Sequence, residues 1–489
     1  MSFLLTWIEQ RTGLVSQTVD FLTEDVPGGA SYWYVFGSAT LFAMILQFVT
    51  GIFLTFYYAP SAATAWESTK YIYENVPLGW FVISLHFWGA TAMIALLFMH
   101  MLQGLVWGAY KAPRELMWAV GVLLFVFTLV LGLTGYLLPW DMNAYFASQV
   151  AINIASSVPL IGGVVQQFLS GGAGMGTLTI NRFFGLHVWL MPALLALLVV
   201  LHLIIFRHNG SAGPPVDGDQ KKLPQGRFWP NQMFMDAFAS LVVFVIIVLL
   251  SIFSPAPFDQ KADPTKAFIA YPAWYFLALY GMLRVAGQVP AQLTTIANLF
   301  ATVIIPGALV TVLILLPWID RNPSRRPGRR AVVLSATAVV LVLAVGLSVY
   351  SQLAVQKEQA ETPAAPPAAA ATTSGAGAKP ATAATKGATI YAANCQGCHG
   401  ATGAGAPPNF PPLAGNPALN GDPKTIEHAV LYGLNGPLQV NGTTYNSVMP
   451  PWNGTLSKAD IAAVLTYIRT SWGNKGTPIT EADVAKVQK

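Results

Sequence analysis

The chain has 489 residues, 54% of them hydrophobic and only 10% charged. That balance excludes a wholly soluble globular protein and points to several membrane spans with a soluble part attached. A formal net charge of +5 with no basic block interleaved with aromatic residues excludes a nucleic-acid-binding surface, and two cysteines, Cys395 and Cys398, exclude a disulfide framework.

In chain order, residues 1–32 read as a cytoplasmic surface segment, amphipathic and closing at Pro27-Gly28-Gly29, with no cleavable signal peptide ahead of the first apolar run. Apolar length then predicts seven spans, over 33–58, 81–107, 115–138, 184–206, 233–254, 293–318 and 331–354. The loops after spans two, four and six carry Lys111 and Arg114, then Arg207, Lys221, Lys222 and Arg227, then Arg321, Arg325, Arg326, Arg329 and Arg330. The alternate loops are longer, and their basic residues are fewer or matched by acids. The positive-inside rule therefore puts the N-terminus in the cytoplasm, and an odd number of spans puts the C-terminus outside. The expected fold class is all-α. A four-helix core (33–208), a cytoplasmic loop (209–232) and a three-helix region (233–354) make a polytopic seven-span bundle. An Ala/Pro-rich linker (355–387) with a reach on the order of 30 Å joins it to a small helical domain (388–489).

Four histidines carry the chemistry of the bundle. His86 and His100 lie 14 residues apart in span two, and His187 and His202 lie 15 apart in span four. Both spacings are close to four turns, so partners share a helix face to within about 60° and are separated by roughly 21–22 Å along it. One imidazole then sits near each side of the membrane on each helix. Ionisable residues inside a bilayer default to function. Two such helices face to face would offer two imidazoles to each of two haem irons stacked across the membrane.

In the soluble part, Cys395-Gln396-Gly397-Cys398-His399 is a c-type haem attachment motif, with two thioethers and His399 as an axial ligand. It closes a short helix beginning near Ala388. The sixth ligand is expected downstream at Met449, with His428 as competitor, since Met/His ligation raises the potential. A closing helix is expected over 457–473. This domain resembles a small class I cytochrome c. Such haems are attached outside the cytoplasm, which agrees with the span parity.

The membrane part resembles the cytochrome b of quinol-oxidising cytochrome bc complexes over nearly all of residues 30–350. The resemblance rests on the histidine set, whose 15-residue second spacing looks like the plastid-type branch. It rests also on two glycine pairs, Gly37/Gly51 in span one and Gly121/Gly135 in span three, each 14 apart. Glycine there lets a backbone approach a flat macrocycle closely. Further matches are Gly135-Tyr136-Leu137-Leu138-Pro139-Trp140, Arg182-Phe183-Phe184-Gly185-Leu186-His187, Pro113-Arg114-Glu115-Leu116 and Asn322-Pro323-Ser324-Arg325-Arg326-Pro327. The spans after residue 232 resemble the separate small subunit of the plastid-type complex, fused here to the first four. The resemblance implies that His86 and His187 hold the outer b haem and His100 and His202 the inner one. Arg114, Arg182 and Arg207 stand as further cofactor-binding candidates, Arg114 and Arg207 as partners of haem propionates.

The family reaction oxidises quinol at an outer site. One electron goes to a Rieske iron–sulfur protein and on to cytochrome c, and the other crosses both b haems to an inner quinone-reducing site, with proton translocation. The chain lacks Rieske ligands, so a separate Rieske partner is implied, along with further electron-transfer subunits and a homodimeric complex in a bacterial inner membrane. The outer site is expected between the span-three/four loop and Tyr271-Pro272-Ala273-Trp274-Tyr275, from Tyr136, Pro139, Trp140, Pro272, Trp274 and Tyr275. Ala273 stands where the family has a glutamate, and Phe87 where plastid-type relatives carry an arginine. At the inner site Asp236 and His208 are candidate proton donors. Val35 stands where the plastid-type branch attaches a third haem to cysteine, so two b haems, one c haem and no such extra haem are expected. The alternative function is an electron-relay subunit without a competent quinol site. A transporter is set aside, because the polar intramembrane residues are the haem-spaced histidines.

Overall fold

The bilayer satisfies no backbone hydrogen bond, so apolar runs long enough to cross it become helices. In the computed structural model they do so at Tyr32–Thr55, Gly79–Val106, Glu115–Tyr136, Thr177–Asn209, Phe228–Phe253, Gln292–Ile319 and Ala331–Gln359, which are spans one to seven. The structure describes residues 3–171, 175–218, 222–264, 268–361, 386–388, 390–391, 395, 399–400, 403–405, 410–434, 438–445, 449, 451–453 and 456–487. The chain divides into a membrane unit of Met1–Gly171, Gly176–Ala262 and Ile269–Glu361 and a second unit made mainly of Thr362–Lys489, the C-terminal unit.

In the membrane unit span one packs along span two, span five covers both, and span three packs against spans four and six. A cluster of Ala43, Met44, Met93, Val120, Leu124 and Leu195 fills the centre of the first four spans. Of these, Ala43, Met44, Met93 and Leu195 lie about midway, in sequence, between the two glycines or histidines of their own helix, while Val120 and Leu124 stand beside Gly121. An apolar plug therefore separates two histidine layers. Span seven packs against helix Leu277–Ala286. There Arg284 holds Glu358 by two bonds of 2.6 and 2.8 Å, and the last helix runs on to Glu361. The first residues of the expected linker are thus helical, and 362–385 lie outside the described residues.

The N-terminal segment is more structured than its composition suggests. Helices Phe3–Thr12 and Leu14–Leu22 lead into strand Asp25–Pro27. This strand pairs antiparallel with Gln225–Arg227 of the loop after span four, Val26 opposite Gly226. A Cβ on Gly226 would stand 2.9 Å from Gly29 Cα, so only a glycine lets the two chains pass.

Just past the C-terminal ends of spans two and six, Lys111 Nζ meets Asp320 Oδ2 at 2.8 Å with both side chains buried. Tyr110 donates to the same carboxylate. Arg330 donates to the Leu105 carbonyl at 2.9 Å, to the Val106 carbonyl and to Tyr110. The Asn322–Pro327 motif is thereby a clamp on the end of span two: Arg325 donates to Trp107 and Gly213 carbonyls, and Ser324 to Asp217.

In the C-terminal unit residues 386–388, 390–391 and 399 are helical, as is Lys424–Tyr432. A closing helix, Lys458–Thr470, falls inside the expected range and is capped by the Ser457 side chain. A hairpin of Leu438–Val440 and Thr443–Tyr445 is a small addition to the helical plan. The core gathers Tyr391, Leu419, Ile426, Val430, Ile461, Leu465 and Ile468.

Candidate haem and quinone sites

Spans two and four bring the histidines together in two pairs. The His86 and His187 rings are 6.2 Å apart centre to centre. An iron between two imidazoles needs two nitrogen bonds of roughly 2.0–2.1 Å and a ring radius on either side, about 6 Å in all. The outer pair fits that demand. His100 and His202 are electrostatic neighbours at the other level.

The unequal spacings are reconciled by one turn. Leu186–Leu190 is π-helical, with Met191 N–H bonding back to Leu186. Pro192 offers no N–H to the Val188 carbonyl, which favours the wider turn. The inserted residue is absorbed there, so 15 residues in span four match 14 in span two.

Each of the four glycines lies against one imidazole. A Cβ at Gly37 would come to 3.3 Å from His100 Cε1, at Gly51 to 3.3 Å from His86 Cε1, and at Gly121 to 3.5 Å from His202 Cε1. At Gly135 it would come to 2.5 Å from His187 Cε1. The glycines therefore seat the histidines, a closer role than the macrocycle approach expected of them. Without a Cβ at 135, His187 Nδ1 reaches the Leu131 carbonyl, one turn earlier, at 3.1 Å. Carbonyls only accept, so Nδ1 carries the proton and Nε2 is the free nitrogen for a metal. Gln47 Nε2, one turn before Gly51, is buried with no hydrogen-bond partner. Seated imidazoles, a bare Nε2 and an orphaned amide suit two non-covalent haems between the spans.

The three arginine candidates have protein partners. Arg114 donates to carbonyls of Asn209, Gly210 and Ser211 at 3.2–3.3 Å, closing the end of span four. Arg207 pairs with Glu24 and lies 5.1 Å over the Phe21 ring. Arg182 donates to the Gln167 and Phe168 carbonyls. Arg325, read from the sequence only as part of the Asn322–Pro327 motif and a basic loop, shares an open polar cavity with Arg114. Burial, with Arg114 and Arg330 nearby, pushes its guanidinium down to about 10.

Span three ends in a polar knot around the buried Asn143. Tyr136 Oη donates to the Tyr271 carbonyl at 3.0 Å, Asn143 Nδ2 donates to Tyr136 Oη, and Asn143 Oδ1 accepts from Tyr271 N–H at 3.0 Å. Asn143 thus ties the span-three/four loop to the segment before Pro272. It was not singled out from sequence, since a loop asparagine carries no signal of its partner. Trp140 is buried at φ 52°, and its carbonyl accepts from Ala262 N–H at 3.0 Å, just after Pro139. Asp141 caps helix Met142–Ser156 through Ala144 N–H at 2.8 Å, and burial raises its carboxyl. Tyr275 Oη occupies the room left by Gly132, and burial pushes its phenol up to about 12. Trp274 is half exposed. Pro272 lines a small cavity with Ala147, Val150, Ala270 and Tyr280. Ala273 only accepts a backbone bond, from Phe276 at 2.9 Å. Phe87 is at the surface.

At the start of span five Asp236 accepts from Gln232 Nε2 at 2.8 Å, and Gln232 Oε1 accepts from Ser31 N–H at 2.8 Å. His208 is exposed at the end of span four. In the C-terminal unit His399 Nδ1 donates to the Pro411 carbonyl at 2.9 Å, again leaving Nε2 free. Cys395 and Met449 pack against the same core, and Met449 pairs with Leu434 by backbone bonds of 2.9 and 3.0 Å. His428 is exposed on its helix, beside Tyr432. Cys398 lies outside the described residues.

A seven-helix bundle of this kind with a cytochrome c domain is a multi-pass electron-transport protein of the oxidoreductase class. Family models agree. Residues 21–210 match Cytochrome b/b6/petB, 261–365 match Cytochrome b(C-terminal)/b6/petD, and 382–468 match Cytochrome C oxidase, cbb3-type, subunit III. The chain is 34% identical over 343 residues to cytochrome b of Allochromatium vinosum, covering 65% of this chain and 80% of that one. It is 40% identical over 219 residues to the menaquinol:cytochrome c reductase cytochrome b subunit of Geobacillus thermodenitrificans, covering 43% of this chain and 98% of that one. A solved hyperthermophilic respiratory Complex III chain matches with TM-score 0.63 and 27% identity, over 71% of this chain and 91% of that one. The chain belongs to the cytochrome b/b6 family of cytochrome bc complexes, with a cytochrome c domain fused at its C-terminal end. Its family implies b haems, and the fused domain implies a haem c.

Proposed function

We propose that this chain is the fused cytochrome b–cytochrome c subunit of a quinol-oxidising bc-type complex. It would sit in a bacterial inner membrane, with its N-terminus cytoplasmic and its cytochrome c domain on the outer face. The observation that carries the reading is the stacked pair of histidine pairs, the outer one spaced for an iron and seated on glycine. His86 and His187 would hold the outer b haem, His100 and His202 the inner one, Cys395, Cys398 and His399 the c haem, with Met449 as its sixth ligand. Bound there, these groups supply one-electron carriers at both depths of the membrane and outside it.

Quinol would bind near Pro272 and Tyr275, beneath the Tyr136–Asn143 knot, with Pro139, Trp140 and Trp274 shaping the outer site. It releases two protons outward and two electrons. One electron leaves to a Rieske iron–sulfur partner and the c haem. The other crosses inward, and two such electrons, from two quinols oxidised, would reduce one quinone to quinol with two protons supplied through Asp236 and His208. Arg114, Arg182 and Arg207 support the haem sites at their edges. Quinol oxidised outside and quinone reduced inside together translocate protons. Further subunits and a homodimeric complex complete the proposal.

Ala273 favours the second reading, a relay subunit without a quinol site, because it offers no carboxylate to take a proton. A pyridine haemochrome of the purified complex, with quinol-driven reduction traces, separates them. The proposal expects two b haems per c haem in this subunit and extra b-haem reduction when oxidant is added. The right haem ratio with no quinol-driven b reduction would establish the relay; a different ratio would refute the ligand set.

A further inference from the structure

The residue before each seating glycine differs between the two levels. Before Gly51 and Gly135, on the outer level, stand Thr50 and Thr134; before Gly37 and Gly121, on the inner level, stand Phe36 and Val120. Thr50 Oγ1 lies 2.9 Å from His86 Nδ1, and Thr134 Oγ1 lies 3.3 Å from His187 Nδ1. Both threonines are buried.

The direction of these bonds follows from the rest of the network. Thr50 Oγ1 donates its only proton to the Leu46 carbonyl at 2.7 Å, and Thr134 Oγ1 donates to the Val130 carbonyl at 3.0 Å. Their lone pairs remain, so each hydroxyl accepts from the histidine Nδ1–H. His187 shares that proton with the Leu131 carbonyl. On the inner level Phe36 and Val120 offer no acceptor. His202 faces the Met117 backbone, and its Nδ1 is left without a well-formed hydrogen bond.

An acceptor on Nδ1–H makes the imidazole more electron-rich and a stronger donor through Nε2. A stronger donor favours the oxidised metal and lowers the potential, the lever that hydrogen bonding beyond the ligands gives a haem protein. We infer that Thr50 and Thr134 are positioning residues that lower the potential of the outer b haem relative to the inner one, so that an electron arriving from quinol runs downhill across the membrane. The inference rests on the ligation proposed above. Because the threonines bond to the histidines, they act through these ligands.

The test is a potentiometric titration of the b haems in the purified complex, comparing Thr50→Val, Thr134→Val, the double variant and the corresponding serine variants. Changing partners of metal ligands typically alters a site about tenfold or more. The double valine variant is expected to raise the lower-potential b haem until its electron equilibrium with the other has shifted about tenfold, about 59 mV for one electron. The higher-potential haem stays in place, and serine, which keeps the hydroxyl, restores the parental values. Unchanged midpoints in the double valine variant would overturn the inference. So would equal shifts of both haems, or a shift that serine does not restore, since either marks packing. The parental protein is the control on the reading beneath it: if it does not titrate as two bis-imidazole b haems, the ligation itself is wrong.

Discussion

Replacing Gly135 by alanine should separate the two haem levels. The new Cβ would stand 2.5 Å from His187 Cε1 and 3.0 Å from both ring nitrogens. That is far inside van der Waals contact, against a ring held between packed helices. Overpacking of this kind costs roughly 1–3 kcal/mol. Losing the bond from His187 to Leu131 costs about 1 kcal/mol more, while alanine in mid-helix returns roughly 0.5–1 kcal/mol. The net penalty is about 1–3 kcal/mol, or about 5- to 150-fold in retention of the outer b haem. Gly121→Ala places its Cβ 3.5 Å from His202, an ordinary contact, so the helix gain should leave it neutral or slightly stabilised. Reduced-minus-oxidised spectra give the haem content, and thermal unfolding gives the stability. Equal effects of the two substitutions, or a worse outcome for Gly121→Ala, would refute the argument from glycine clearance.

Four other outcomes are expected. Lys111→Met strands buried Asp320 and should destabilise the membrane unit by about 3–5 kcal/mol, with Lys111→Met/Asp320→Asn recovering most of it; a single variant as stable as its parent would sink the clamp. Burial pushes the Asp320 carboxyl up, but the bonds from Lys111 and Tyr110 outweigh it and hold it below its usual 3.8. Its contribution should therefore be complete above that pH and decline as pH falls below it, which pH-dependent unfolding can follow. Asn143→Leu leaves the Tyr271 N–H unpaired and removes the donor to Tyr136 Oη, so quinol oxidation should fall about 10- to 100-fold in kcat while dithionite-reduced b spectra stay unchanged; parental turnover would detach the knot from the site. Met449→Ala should lower the c-haem potential and remove its sulfur–iron absorption, whereas His428→Ala should do neither; the reverse pattern would move the sixth ligand to His428.

Span count and histidine phase could be read from one dimension. Hydrophobic length selects helices wherever water is absent, and 3.6 residues per turn sets which side chains share a face. The seven spans therefore fall where apolar runs put them, and four histidines spaced 14 and 15 apart suffice to suggest two levels. Partners brought together by folding were illegible. The clamp of Lys111 on Asp320 joins residues more than two hundred positions apart, and Asn143 finds Tyr271 128 positions away. The strand pairing of Asp25–Pro27 with Gln225–Arg227 links two loops with no alternating pattern of their own. The difference between Thr50 and Phe36 was plain in the letters, but its meaning needed the hydroxyl beside His86. A side chain's neighbours on its own helix follow from local geometry, and its neighbours on other helices follow from packing.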